Sequence, residues 1–286
     1  MNKKACLFLG TSGYSYSDWK GIFYPKALAT DRWLEYYAGF FDTVELNVTF
    51  YRLPKESVFS GWERRTPGNF TFSVKGSRFI THVKRLKDCA EPLKLFFSRV
   101  KLLKKKLGPV LWQFPPFFKA DPERLAVFLK ALKKYSDTRH VFEFRNGTWF
   151  SREIFDILKA EGAVLCSADW PAFCNDIRVT ADFVYIRRHG RGARLYSSTQ
   201  APALAGGLRS LRLRSGQAGF RPPGGKAGAP GLPGGLHSGS YPDSRLRKDA
   251  AIIKENLKRK RDVYIYFNND AGGCAVKNAR TLKAMV

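Results

Sequence analysis

Residues 43–52 read TVELNVTFYR, and their alternation decides the fold. Val44, Leu46 and Val48 alternate with Glu45, Asn47 and Thr49, the two-residue period of a strand. A carboxylate, an amide and a hydroxyl therefore share one face. The pattern recurs. VFEFRN at 141–146 places Glu143 and Arg145 on one face, and VYIYFNND at 263–270 ends in Asn268, Asn269 and Asp270. Strands that carry polar groups towards their C-terminal ends mark where a site lies.

Working outward, further apolar runs at 6–10, 70–75, 110–114, 163–169 and 183–187 bring the strands to eight. Between them apolar residues recur at helical spacing. One set is Trp33, Tyr36, Tyr37 and Phe40, and another is Val58, Phe59 and Trp62. Leu93, Phe96, Phe97, Val100 and Leu103 form a helix that Gly108 is expected to stop. Leu125, Phe128, Leu129 and Leu132 follow, then 154–158, then Leu246, Ala250, Ile253 and Leu257, and finally Val276, Ala279 and Leu282. Only 172–182 lacks a helical period. Strands alternating with helices predict an α/β fold with a parallel sheet. Eight units in 286 residues predict a closed (β/α)8 barrel of the TIM type. A doubly wound open sheet is the alternative, but Gly10-Thr11-Ser12-Gly13 does not fit GxGxxG.

The net charge is +26, which points to nucleic acid or another polyanion as a partner. The plainer reading is a lysine-rich solvated surface, with KLLKKK at 101–106 and KRKR at 258–261 on outward helix faces. Five cysteines, odd in number and without a CxxC pair, argue against a disulfide framework. Cys6 and Cys166 lie in apolar runs and read as core residues. No signal peptide or membrane span is legible, so a cytoplasmic protein without membrane contact is expected. Residues 197–237 stand apart, with ten Gly, five Pro and no acidic residue, a composition expected to be disordered. The barrel is then expected to comprise 1–196 and 238–286.

The chain resembles the YecE-like family, a domain of unknown function (DUF72). The motifs that carry the resemblance are GTSGYSYSDWKGIFYP (10–25), TVELNVTFYRLP (43–54), FSVKGSRFITH (72–82), KLGPVLWQFPP (106–116), HVFEFRNGTWF (140–150), ADW (168–170) and VYIYFNNDAGGCAVKNA (263–279). They cover nearly the whole chain. The resemblance implies a TIM-type barrel and no established reaction. One family pattern is interrupted: Tyr196 is separated from Ser238-Gly239-Ser240-Tyr241 by the low-complexity insert.

In such a barrel the C-terminal strand ends converge on one mouth. The candidates there are Glu45 and Asn47, Lys75, Gln113, Glu143 and Arg145, Asp169, Arg187 and His189, and Asn268 and Asp270. Glu45, Glu143, Asp169 and His189 are candidate catalytic groups. Asn47, Lys75, Gln113, Arg145, Arg187, Asn268 and Asp270 are candidates for binding substrate. An internal ion-pair network accounts for any one of these as well as catalysis does, and so many at one end favour a ligand site. Arg187, His189 and the turn at 268–273 suggest an anion at the loops after the last two strands. Helix capping by Asn269 or Asp270 is the plainer alternative there. Glu45, Glu143, Asp169 and His189 are also donors suited to a divalent metal, though no spacing demands one. Glu45 with Glu143 resembles a glycosidase pair, yet barrel glycosidases place their acids where this chain has Gln113 and His189. His140, before its strand, reads as structural. The leading expectation is an enzyme acting on an anionic small molecule, a phosphoester or a nucleic-acid component. A nucleic-acid-binding protein without catalysis and a carbohydrate-active enzyme are the alternatives.

Overall fold

A computed structural model describes residues 4–170, 173–174, 177–190 and 239–286; the 197–237 insert and its flanking Tyr196 and Ser238 lie outside the described residues. Ten strands are described: β1 Leu7–Thr11, β2 Thr43–Leu46, β3 Thr71–Lys75, β4 Leu107–Gln113, β5 His140–Glu143, β6 Val164–Leu165, β7 Ser167–Trp170, β8 Phe173–Cys174, β9 Phe183–Arg188 and β10 Asp262–Phe267. The α-helices are α1 Trp33–Ala38, α2 Val48–Tyr51, α3 Glu56–Arg64, α4 Ala90–Val100, α5 Pro122–Leu132, α6 Arg152–Ala160, α7 Asp243–Lys258 and α8 Cys274–Met285. No helix among the described residues is long and apolar enough to cross a membrane.

The strands form two five-stranded sheets, ordered β1-β10-β9-β7-β8 and β2-β3-β4-β5-β6. Every pairing is parallel except the β7–β8 hairpin. Both seams between the sheets are bonded. Ser12 bridges Glu45 in parallel, and Gly13 N–H donates to the Glu45 carbonyl at 2.8 Å. On the other side, Cys166 N–H donates to the Phe142 carbonyl at 2.8 Å. Cys166 is also the one residue between β6 and β7, which together make a single interrupted strand. The order round the ring follows the chain, in keeping with the expected (β/α)8 barrel.

Packing explains why alternation looked amphipathic. Two apolar clusters exist. The larger one lies between strands and helices and includes Val44, Leu46, Val74 and Trp112. The smaller one, of Leu111, Val141, Cys166, Phe183, Tyr185, Tyr264 and Tyr266, takes the alternate residues and fills the space inside the strands. Both faces of β2 are therefore buried, Glu45 included. Polarity rises along the inner face, from Phe183 and Tyr264 to Glu45, Lys75, Gln113, Glu143 and Arg187 at the C-terminal ends.

Close strand approach needs Gly10, where a Cβ would stand 2.3 Å from the Thr43 carbonyl oxygen. Gly10→Ala is expected to lower unfolding free energy by roughly 1–3 kcal/mol, read from a urea transition. A shift below about 0.5 kcal/mol would mean the seam yields easily.

Several boundaries differ from the sequence expectation. The strand expected at 43–49 ends at Leu46, because Asn47 adopts helical angles and starts α2. The helix expected through Leu103 ends at Val100 and continues as a 3-10 turn broken at Lys104, whose φ is 53°. Gly108 does not stop it. It lies in β4, where a Cβ would press on Thr71 at 2.6 Å. Nor is 101–106 wholly a solvated face: Lys106 is buried, and its ammonium donates to the carbonyls of Glu63 and, at 2.8 Å, Thr66. Cys6, expected in the core, is exposed, whereas Cys166 is buried.

Candidate functional site at the C-terminal strand ends

Alternation along β9 points Tyr185 and Arg187 inward. Arg187 is 1% exposed and holds the site together. Its Nη2 donates to Glu45 Oε1 at 2.8 Å and its Nη1 to Glu143 Oε2 at 2.5 Å. A further bond runs from Nη2 to the Ser12 hydroxyl at 3.1 Å. That hydroxyl donates to Glu45 Oε1 and accepts from Asn47 Nδ2 at 2.9 Å. Tyr185 adds its hydroxyl to Glu45 Oε2 at 2.6 Å. Glu143 also takes a fork from Arg145, with Nε and Nη2 each at 2.8 Å from Oε1. Glu45, Arg187, Glu143 and Arg145 thus form one nearly buried chain of alternating charge. Burial would raise the Glu143 carboxyl, but the two guanidiniums hold it well below the usual carboxylate range.

His189 is fully buried, and burial first, then the Arg187 charge, pushes its imidazole down to about 3. Its ring is neutral at pH 7. Nδ1 lies 3.0 Å from Asn268 Nδ2, so the amide orientation leaves the ring proton on Nε2, which faces Glu143 Oε1 at 3.6 Å. Asp169 accepts from His189 N–H at 2.7 Å and from the Tyr241 hydroxyl, which in turn accepts from Gly190 N–H at 2.6 Å. The neighbouring Arg188 clamps Asp249 of α7 by two bonds, at 2.9 and 2.6 Å. α7 is therefore tied to Arg188, the last residue of β9, and Asp169 to the backbone of the next residue, His189.

Lys75 is different. It ends β3, is 8% exposed, and its ammonium makes no hydrogen bond or ion pair among the described residues. Its Nζ sits 4.2 Å from the centre of the Phe50 ring. Burial, then the Arg187 charge, lowers its pKa to about 7. His82 is pushed down to about 4 by burial and by Lys75, Arg78 and Arg145. This side of the mouth carries more positive charge than its carboxylates offset.

Asp270 is raised to about 7, chiefly by burial and also by Asp18, and its Oδ1 has no hydrogen-bond partner among the described residues. Neither Asp270 nor Asn269 caps a helix with its side chain: Asn269 Nδ2 donates to the Gly239 carbonyl and to Asn278 Oδ1. The Gly272 amide is occupied by Asp18 Oδ2 at 2.8 Å. Gln113 stands beside Glu143 in register, buried, with its Oε1 unpaired. An open cavity of about 670 Å³ adjoins the site, lined by Tyr14, Tyr16, Asn47, Arg52, Val58 and Trp62 among others. Asn47 belongs to both the cavity and the charge chain.

The expected residues therefore converge, with three distinctions. Glu45, Asn47, Glu143, Arg145, Arg187, His189 and Asn268 form one network, which Asp169 joins through a backbone amide. Lys75, Gln113 and Asp270 stand beside it with unspent hydrogen-bonding capacity. Among the described residues no three His, Cys, Asp or Glu side chains gather as a divalent metal would need. Ser12 and Tyr185 join the site without being among the sequence candidates, although Tyr185 lies two residues before Arg187 on the same face; Tyr241, which belongs to the interrupted family pattern, joins it through Asp169. His140 opens β5 at the opposite end, where burial lowers it to about 4.

The three depressed histidines predict a pH dependence. An unfolded histidine, near 6.5, takes up protons that folded His82, His140 and His189 refuse until about 4, 4 and 3. The contribution of these three histidines to unfolding free energy should thus be complete above pH ~6.5 and fall as pH drops towards ~4, outweighing the opposite contribution of Asp270, whose pKa is raised to about 7. Urea midpoints at pH 7 and pH 5 check this; equal midpoints would contradict it.

Comparison with known proteins agrees with this architecture. UPF0759 protein YunF of Bacillus subtilis is 25% identical over 96% of this chain and 93% of its own length. UPF0759 protein YecE of Escherichia coli K12 is 30% identical over 39% of each chain. The crystal structure of a DUF72 family protein from Thermotoga maritima superposes with a TM-score of 0.76 at 29% identity, over 98% of both chains. A DUF72 family protein from Enterococcus faecalis, at 20% identity and a TM-score of 0.72 over 98% of this chain and 94% of its own, shares the fold. The profile described as "Protein of unknown function DUF72" matches residues 8–286, and the chain belongs to that family.

Proposed function

We propose that the protein is an enzyme acting on an anionic substrate, a phosphoester or nucleic-acid component, at the mouth formed by the C-terminal strand ends. The observation that supports this reading is the ammonium of the largely buried Lys75, which makes no ion pair among the described residues although Glu143 and Glu45 lie within its field. The buried guanidiniums of Arg187 and Arg188 both face carboxylates. An anion seated against Lys75, within the field of Arg145, Arg78 and His82, would supply the missing charge. Arg187, bound on both sides, positions Glu45 and Glu143 and is not free to leave them. Asp270, raised to about 7 and with one oxygen unpaired among the described residues, is the group best suited to carry a proton at neutral pH. The neutral His189 orients Asn268 and Glu143. A Glu143 held low is the reverse of a glycosidase acid, which weakens the carbohydrate reading.

Hydrolysis of a generic phosphodiester, bis(p-nitrophenyl) phosphate, tests this with and without added divalent ions. Asp270→Asn is expected to lower kcat by roughly 10²–10⁴-fold. Lys75→Met should lower kcat/KM. Turnover unchanged in both variants, or absent from the wild type under every ion condition, would overturn the reading.

A further inference from the structure

The rim of the mouth over β2, β3 and β4 carries an arrangement that anion chemistry at Lys75 does not require. Three large aromatic side chains stand in water there: Tyr51 is 70% exposed, Phe79 48% and Phe117 61%. Each follows the C-terminal end of one of three neighbouring strands, so their loops lie side by side. Contacts join the loops. Phe50, next to Tyr51, meets the His82 ring edge-on at 4.9 Å, and the Arg85 guanidinium stacks 5.2 Å from the Phe117 ring. Exposed arginines interleave with the rings: Arg52 beside Tyr51, Arg78 beside Phe79, and Arg85 over Phe117. Residues 47–55, 76–87 and 114–120 contain no acidic side chain.

Exposed aromatic rings keep an unfavourable apolar contact with water that a flat partner would remove, and an acid-free basic loop repels another basic surface. We propose that this rim binds single-stranded nucleic acid, its bases stacking on Tyr51, Phe79 and Phe117 and its phosphates meeting Arg52, Arg78 and Arg85. A duplex hides its base faces and offers only phosphates, so the rings select unpaired strands. The inner edge of this track is Phe50, whose ring lies over the Lys75 ammonium. A strand crossing the rim would thus bring a phosphate to the mouth. The inference rests in that last respect on the reading of Lys75 as an anion site, but the rim binds strands whether or not Lys75 does.

The test is fluorescence anisotropy with labelled oligo(dT) and oligo(U) of 20 nucleotides and a duplex of equal length, each at two salt concentrations. Tyr51→Ala, Phe79→Ala and Phe117→Ala alter exposed side chains and should leave the fold intact, which far-UV dichroism verifies. Each is expected to weaken single-strand binding roughly tenfold while leaving the salt slope nearly unchanged. Arg78→Ala should weaken binding and reduce the slope. Sulfate binding at the mouth should be unaffected by the aromatic variants, which separates failure of the rim from failure of Lys75. Single strands bound equally by wild type and all three aromatic variants, or duplex bound as tightly as single strand, would overturn the proposal.

Discussion

Arg187→Ala is expected to cost on the order of 3–5 kcal/mol of unfolding free energy, a large share of the roughly 5–15 kcal/mol that holds an ordinary domain folded. The cost does not come from the lost attraction alone. Glu45 is 0% exposed and Glu143 1%, and each would remain in the interior without its principal guanidinium. Glu143 keeps Arg145, whereas among the described residues Glu45 keeps hydrogen bonds from the hydroxyls of Ser12 and Tyr185 and no guanidinium. Glu45→Gln in the Arg187→Ala background should therefore recover a measurable part of the loss, because it removes the orphaned charge. Urea unfolding of the two variants reads the difference. A single variant that loses under about 1 kcal/mol would show the site to be wet, and the buried chain of charge would not stand.

The second large effect has the opposite sign. Lys75 pays for its position with desolvation, so Lys75→Met, similar in length and apolar, is expected to stabilise the fold by about 1–3 kcal/mol at pH 7. The direction follows from linkage. A folded pKa of about 7 lies below the ordinary lysine value of 10.5, so between these values the unfolded chain binds the extra proton. Stability of the wild type should accordingly rise with pH over that window, and the advantage of Lys75→Met should shrink with it. A destabilised Lys75→Met would mean that the ammonium is well solvated or paired.

The sequence showed the alternation of strands and helices, and it placed Glu45, Glu143, Arg187, His189 and Asn268 in one neighbourhood. It did so because strand ends in a parallel ring must converge, whatever the intervening helices do. It also paired Glu143 with Arg145, two residues apart on one face. What it hid were the choices that depend on distant partners. Nothing near Arg187 in the chain shows that its guanidinium is divided between carboxylates 142 and 44 residues away. The 43–49 alternation continued on paper past the point where Asn47 turns into α2. Lys106 looked like one lysine in a solvated run, and only packing against Thr66 and Glu63 makes it internal. In the sequence Lys75 is one cation among several, and only the structure shows that Arg187 and Arg145 take the hydrogen bonds of Glu45 and Glu143 and leave Lys75 without an ion pair among the described residues.

Proton uptake on sulfate binding most directly tests whether Lys75 seats an anion. Sulfate does not titrate near neutrality, so any proton taken up comes from the protein. Calorimetric titration at pH 7.5, in two buffers of different ionisation enthalpy, measures that number. Seating an anion beside Lys75 must raise its pKa. The wild type should therefore take up more than about half a proton per sulfate, with affinity falling as pH rises above ~7. Lys75→Met should bind weakly and take up none. Sulfate binding without proton uptake, or uptake that persists in Lys75→Met, would contradict the account.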